Sequence, residues 1–309
     1  MKQILSIPYN NFIKNNYWQP AFKIFSAFAA VWFLTSHHQI KELPRFDSSL
    51  EFKELLILLF LSLGNWGLEI KKWQKLVQTI ERINYFEALR QSLISFAASL
   101  ITPNRIGEYG AKILFYPSAK SKKIFLLNLK GNFLQLLTTV LFGINAVFIL
   151  MIFYKHQWQK FSLPSSFFFV FIILTAILIA IGFFLKKKFQ NKEDFLDCPC
   201  KKIFILSISR YLLFSFQFAL IWTIFHRENL KPELFLAINL TYLMASLIPV
   251  LSFFDWAVKG SAAVYVFSLL ELPATHMLSV TGLMWLLNFS LPFILGTGLF
   301  LSSKLRKNA

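Results

Sequence analysis

Eleven consecutive residues, Thr102-Pro103-Asn104-Arg105-Ile106-Gly107-Glu108-Tyr109-Gly110-Ala111-Lys112, set an arginine, a glutamate and a lysine between strongly apolar flanks. A guanidinium presents parallel N–H donors that grip a phosphate with two hydrogen bonds. The carboxylate of Glu108 lies three residues beyond Arg105 and four before Lys112, so it suits orienting those cations better than touching an anion itself. At membrane depth each charge costs roughly 2.5–3.5 kcal/mol on insertion scales, which marks such groups as functional candidates. The competing reading is a surface loop carrying an exposed Glu108–Lys112 pair, worth only tenths of a kcal/mol. Asp255 and Lys259 repeat the acid-and-lysine spacing late in the chain.

Other polar residues leave alternatives open. Glu69 either faces a cavity or meets Lys72 or Trp73 at the membrane interface. Arg210 either holds a lipid phosphate or snorkels to the headgroups, the latter being the expectation here. Asn128, Asn132 and Gln135 recur at helical spacing, as interhelical glue or as cavity lining. Histidines 37, 38, 156, 226 and 276 are scattered and form no catalytic arrangement. Cys198 and Cys200 lack the further ligands of a zinc site and are read as reduced thiols. No catalytic residue, metal or cofactor is expected.

The elements that position these groups are dictated by composition. The chain has 309 residues, of which 56% are hydrophobic and 15% charged, with a formal charge of +17. Soluble chains carry about 25% charged residues, so an ordinary soluble domain is excluded. The basic residues fall in short blocks between apolar runs, which is the positive-inside pattern of a multi-pass membrane protein and not a nucleic-acid-binding face.

A membrane-spanning helix needs about 20 mostly apolar residues. Eight segments qualify: Pro20 to Ser36, Glu54 to Ile70, Tyr85 to Ile101, Ile124 to Phe153, Pro164 to Leu185, Ile203 to Phe225, Glu233 to Val250 and His276 to Leu301. Thr102 to Tyr116 and Leu251 to Leu272 are too broken to cross alone and too apolar for solvent. Lys71, Lys72, Lys75 and Arg82, then Lys120, Lys122 and Lys123, then the stretch from Lys186 to Lys202, and finally Lys304, Arg306 and Lys307 place three connections and the C-terminal tail in the cytoplasm, and the counted passes put both termini there. Each broken segment must then enter and return with the span before it, from opposite faces. No cleavable signal peptide is read at the N-terminus.

Ala98-Ser99-Leu100-Ile101-Thr102-Pro103 is echoed by Ala245-Ser246-Leu247-Ile248-Pro249. With the opposite sidedness, this describes inverted-topology repeats, over about 54–153 and 203–301, within a single membrane domain spanning 1–309. The expected fold is therefore all-α: about eight transmembrane helices plus two re-entrant segments.

Thr-Pro-x-Arg-x-Gly-Glu after an apolar span, followed by Asn128-Leu129-Lys130-Gly131-Asn132, resembles the flippase-like transmembrane family typified by the membrane half of lysylphosphatidylglycerol synthases. Asn65 to Trp73 is similar to that family's second helix. The resemblance covers nearly the whole chain and is most specific at residues 100–132. It implies a helical bundle with two re-entrant regions that moves a lipid or lipid-linked group across the bilayer. The synthases' soluble transferase domain is expected to be absent. The family's Pro-Gly-Gly-x-Gly run and glutamate are replaced here by Val250 to Asp255, and its arginine in the last span by Asn288, so Asp255 and Lys259 are the candidates to stand in.

The expectation is a non-enzymatic translocase of an anionic or lipid-linked amphiphile in a bacterial cytoplasmic membrane, binding its substrate through Arg105, Glu108, Lys112, Asn132, Asp255 and Lys259. The alternatives are a non-transporting membrane component that partners a separate soluble transferase, and an intramembrane lipid-modifying enzyme using Glu108 or Asp255 as base.

Overall fold

A computed structural model of the protein describes residues 50–99, 102, 105–154, 199–248 and 250–302. Over these residues the chain is helical: α1 (Phe52–Val77), α2 (Tyr85–Ser99), α3 (Ile106–Ile113), α4 (Ser121–Phe153), α5 (Cys200–His226), α6 (Pro232–Ser246), α7 (Asp255–Leu269), α8 (Met277–Trp285) and α9 (Leu291–Ser302), the last two joined through a π-helical turn at Leu286–Ser290. The proposed spans Pro20 to Ser36 and Pro164 to Leu185 lie outside the described residues, as do Cys198, Pro103 and Pro249.

Among the described residues, three helical stretches are long and apolar enough to cross a membrane: Ser118–Phe153, Cys200–His226 and Met277–Ser302. Three other proposed spans take different forms. Helix α1 starts at a capping box between Glu51 and Glu54 and runs 26 residues, past the expected end at Ile70. Lys71, Lys72 and Lys75 are therefore helical and not part of a connecting loop, and Lys72 is buried. Helices α2 and α6 have 15 residues each, about 22 Å at the helical rise, which is short of a hydrocarbon core about 30 Å thick.

Both short helices stop at the serine of the echoed Ala-Ser-Leu-Ile string. The mechanism is the same at each end: Ser99 Oγ donates to the Phe96 carbonyl at 2.7 Å, and Ser246 Oγ donates to the Leu243 carbonyl at 2.7 Å. Each hydroxyl satisfies a carbonyl of the last turn, where the helical ladder runs out. Beyond the first break, Thr102 Oγ1 donates to the Ser99 carbonyl and accepts from the Gly107 N–H at 2.8 Å, tying α3 back to α2. A side chain at Gly107 would overlap the Ala98 carbonyl, so the fold-back needs glycine there.

The packing pairs recur between the two halves. Helix α1 lies along α5; α4 crosses α6 as α9 crosses α2; α3 returns onto α2 as α7 returns onto α6. One apolar core joins α5 to α8 around Phe218, Trp222 and Phe267, and a second, around Trp73, Leu76 and Ile124, joins α1 and α4. Phe60, Phe86, Phe148 and Ile294 project outward and exposed, the surface expected of helices that meet lipid.

Candidate functional site

The polar residues of α1 that recur at steps of three and four, Ser62, Asn65, Glu69 and Lys72, are all buried and share one face of the helix. Helix α5 lies against that face. Arg210 Nη1 donates to Glu69 Oε2 at 2.7 Å, and Arg210 Nε donates to Asn65 Oδ1 at 3.1 Å. The same Glu69 oxygen lies 2.7 Å from Lys72 Nζ. Asn65 Nδ2 then donates to Asn288 Oδ1, Asn288 Nδ2 to Gln217 Oε1, and Gln217 Nε2 to Ser62 Oγ, all at 2.7–2.9 Å. The π-helical turn that holds Asn288 opens the helix locally, a feature often found at functional sites.

A second cluster is built on α3. Lys112 Nζ donates to Glu108 Oε1 at 2.6 Å and to Asn128 Oδ1 of α4 at 2.9 Å, while lying 4.1 Å from the centre of the Trp73 ring. Arg105 Nη2 is 2.9 Å from the other Glu108 oxygen. Arg105 has left-handed backbone, φ 59°, which turns the chain into α3, and its guanidinium sits 4.6 Å over the Phe96 ring. Glu108 and Lys112 are 2% exposed. The surface-loop reading is thereby overturned, since these flanking helices remove the pair from solvent.

The two clusters have the same composition: a buried carboxylate shared between an arginine and a buried lysine. Glu69 joins Arg210 to Lys72, and Glu108 joins Arg105 to Lys112. In each, the arginine is the outer member. Arg105 and Arg210 both line a cavity of about 380 Å³, together with Asp255 and Lys259 at the start of α7. Lys259 Nζ donates to Asp255 Oδ2 at 2.6 Å. Phe214, Tyr242 and Trp285 form part of an aromatic wall around these charges.

Of the residues expected to bind substrate, Arg105, Asp255 and Lys259 are brought together on this cavity. Glu108 and Lys112 stand behind Arg105, and Asn132 Nδ2 donates to the Tyr109 hydroxyl at 2.9 Å, fixing α3 to α4. Gln135 serves both as glue, donating to the Ser207 carbonyl, and as lining. Arg210 does not snorkel: it turns inward to Glu69 and Asn65. Sequence reasoning left out Asn65 and Gln217, and took Asn288 only as a departure. The legible signal was the polar stripe at 62, 65, 69 and 72 within an otherwise apolar helix.

Five cations here, Lys72, Arg105, Lys112, Arg210 and Lys259, meet three carboxylates, Glu69, Glu108 and Asp255, leaving a surplus of two positive charges. In a low-dielectric setting such a surplus favours an anion. Comparison with known proteins finds no matching family model, no matching curated protein and no matching solved structure.

Proposed function

We propose that this protein is a lipid translocase that moves an anionic or lipid-linked amphiphile across a bacterial cytoplasmic membrane. The observation that carries the reading is the cavity in which Arg105, Arg210 and Lys259 converge with a net positive charge. A headgroup held there leaves its acyl or prenyl tails in the surrounding lipid, so no continuous water channel is required. The helices broken at Ser99 and Ser246, and the matched packing of the two halves, support two re-entrant limbs in an inverted repeat within a multi-pass helical bundle, the architecture of many secondary transporters. The resemblance to the flippase-like family at residues 100–132 points the same way.

In this reading Arg105, Arg210 and Lys259 hold the phosphate. Glu108, Lys112 and Asp255 position those cations, and Asn132 anchors α3. The test is purified protein in proteoliposomes carrying a fluorescent anionic phospholipid, with the inner-leaflet label followed by a membrane-impermeant quencher. Protein-dependent loss of protection is the expected result. No movement across several anionic lipids overturns the reading and favours a transport-free subunit that serves a separate transferase. Sidedness is tested by a reporter active only outside the cytoplasm, fused after Ala309: silence is expected, and activity overturns the inverted arrangement.

A further inference from the structure

Resting on the translocase reading, the charge balance of the cavity narrows the headgroup. Each buried carboxylate is shared by two cations, so each cluster carries one unbalanced positive charge, whereas Asp255 and Lys259 neutralise one another. Both unbalanced clusters face the cavity through an arginine, Arg105 from the turn before α3 and Arg210 from α5.

The donors of these arginines are only partly used. Arg105 Nη2 lies near Glu108 without hydrogen-bond alignment, and its Nε has no hydrogen-bond partner among the described residues. Arg210 commits Nη1 and Nε to Glu69 and Asn65, bonds that do not draw on the Nη2 donors of a side chain that lines the cavity. The Tyr242 hydroxyl, on a side chain 6% exposed that lines the same cavity, is a further buried donor with no partner among the described residues. Buried donors left unmatched are costly, and they are supplied here on several walls of one space.

We infer that the site takes a dianionic phosphoryl headgroup, a terminal phosphomonoester or a diphosphate, in preference to the singly charged phosphodiester of common membrane lipids. A diester neutralises one cluster and leaves the other unbalanced in a low-dielectric cavity. A dianion neutralises both, and its additional oxygen atoms match the unspent donors of Arg105, Arg210 and Tyr242.

The experiment uses the full chain in proteoliposomes at about pH 7.5, where a phosphomonoester, with its second ionisation near about 6, is mostly dianionic. Three probes are compared: a fluorescent phosphatidic acid, a phosphatidylglycerol with the same label and chains, and radiolabelled inorganic phosphate supplied outside. Phosphatidic acid is expected to move about tenfold or more faster than phosphatidylglycerol at matched concentration. That preference should shrink towards unity in both Arg105→Gln and Arg210→Gln, with Gln135→Ala, folded and assayed in parallel, reporting the effect of a change in the lining without loss of charge. Equal rates for the two lipids, or faster phosphatidylglycerol, overturn the dianion inference while leaving the translocase reading intact. Uptake of inorganic phosphate with neither lipid moving supports the dianion site and overturns the lipid reading. Movement of none of the probes overturns both.

Discussion

Arg210 of α5 and Glu69 of α1, 141 positions apart in sequence, form a 2.7 Å ion pair whose carboxylate is shared with Lys72 on its other side. The pair joins the two halves of the chain along the α1–α5 seam, and the arginine lines the cavity. Its counterpart, Arg105 with Glu108 and Lys112, is made within one short helix and its preceding turn. One cluster is therefore a tertiary contact and the other a local one, although they present the same groups.

Replacing Arg210 tests whether the seam is functional or merely structural. Arg210→Lys keeps the charge but cannot supply both the bond to Glu69 and the bond to Asn65 in the same planar geometry. Lys72 stays paired with Glu69, so the carboxylate is not stranded and the stability loss should stay near 1–2 kcal/mol, about the value of one or two hydrogen bonds. Lipid movement should fall tenfold or more. Thermal unfolding in detergent and flipping at matched protein amounts check the two halves of this expectation; a fall in stability with transport retained assigns Arg210 to structure alone.

The second cluster separates through a double-mutant cycle. Glu108→Gln leaves Lys112, 2% exposed, beside a neutral amide, and uncompensated buried charges typically cost about 3–5 kcal/mol. Lys112→Met alone leaves Glu108 with Arg105 and should cost less. The combined Glu108→Gln, Lys112→Met protein should recover much of the loss, because the buried lysine is gone. Unfolding midpoints of the four proteins check this, and additive losses would show that Glu108 and Lys112 are not coupled.

What could be read from the sequence followed the local rules. The repeat is written in the Ala-Ser-Leu-Ile strings, and the Glu108–Lys112 pair in its spacing, because both depend on residues within a turn of each other. Arg210 was misplaced for the opposite reason. Its partners lie on α1, and an isolated arginine near a helix start has no local feature that separates inward pairing from snorkelling. Lys72 was grouped with a basic loop because its neighbours Lys71 and Lys75 are charged, yet α1 continues to Val77 and turns Lys72 onto the face of Glu69. Segment length misled as well: hydropathy windows ran through Ser99 and Ser246, where side-chain hydroxyls close the helices.

Close helix crossings make a further prediction. A Cβ at Gly296 would overlap the Leu93 carbonyl where α9 crosses α2, and one at Gly143 would lie 2.7 Å from Leu243 Cβ where α4 crosses α6. Gly296→Ala forces the first pair of helices apart against backbone, which cannot yield as a flexible side chain does, and should cost about 1–3 kcal/mol or more. Gly298→Ala meets nothing within 4 Å and should leave stability unchanged or slightly raised. Unfolding of both variants in the same detergent is the measurement; equal midpoints would mean that α9 and α2 do not approach as closely as described.

The sharpest separation of fold from function lies at Arg105. Its φ of 59° places a long cationic side chain in left-handed backbone, a conformation that costs a non-glycine residue about 1–2 kcal/mol. Glycine adopts it without that penalty, and Glu108 retains Lys112 as its partner when the guanidinium is removed. Arg105→Gly should therefore unfold at the same temperature as the parent protein or somewhat above it. It should also move anionic lipid at least tenfold more slowly, because the cavity loses one of the two arginines that carry its surplus charge. A residue kept only to shape the turn would give the reverse: substitution by glycine would leave transport untouched. Measuring unfolding and lipid movement on the same preparation decides between them, and full transport by a stable Arg105→Gly protein would remove this arginine from headgroup binding.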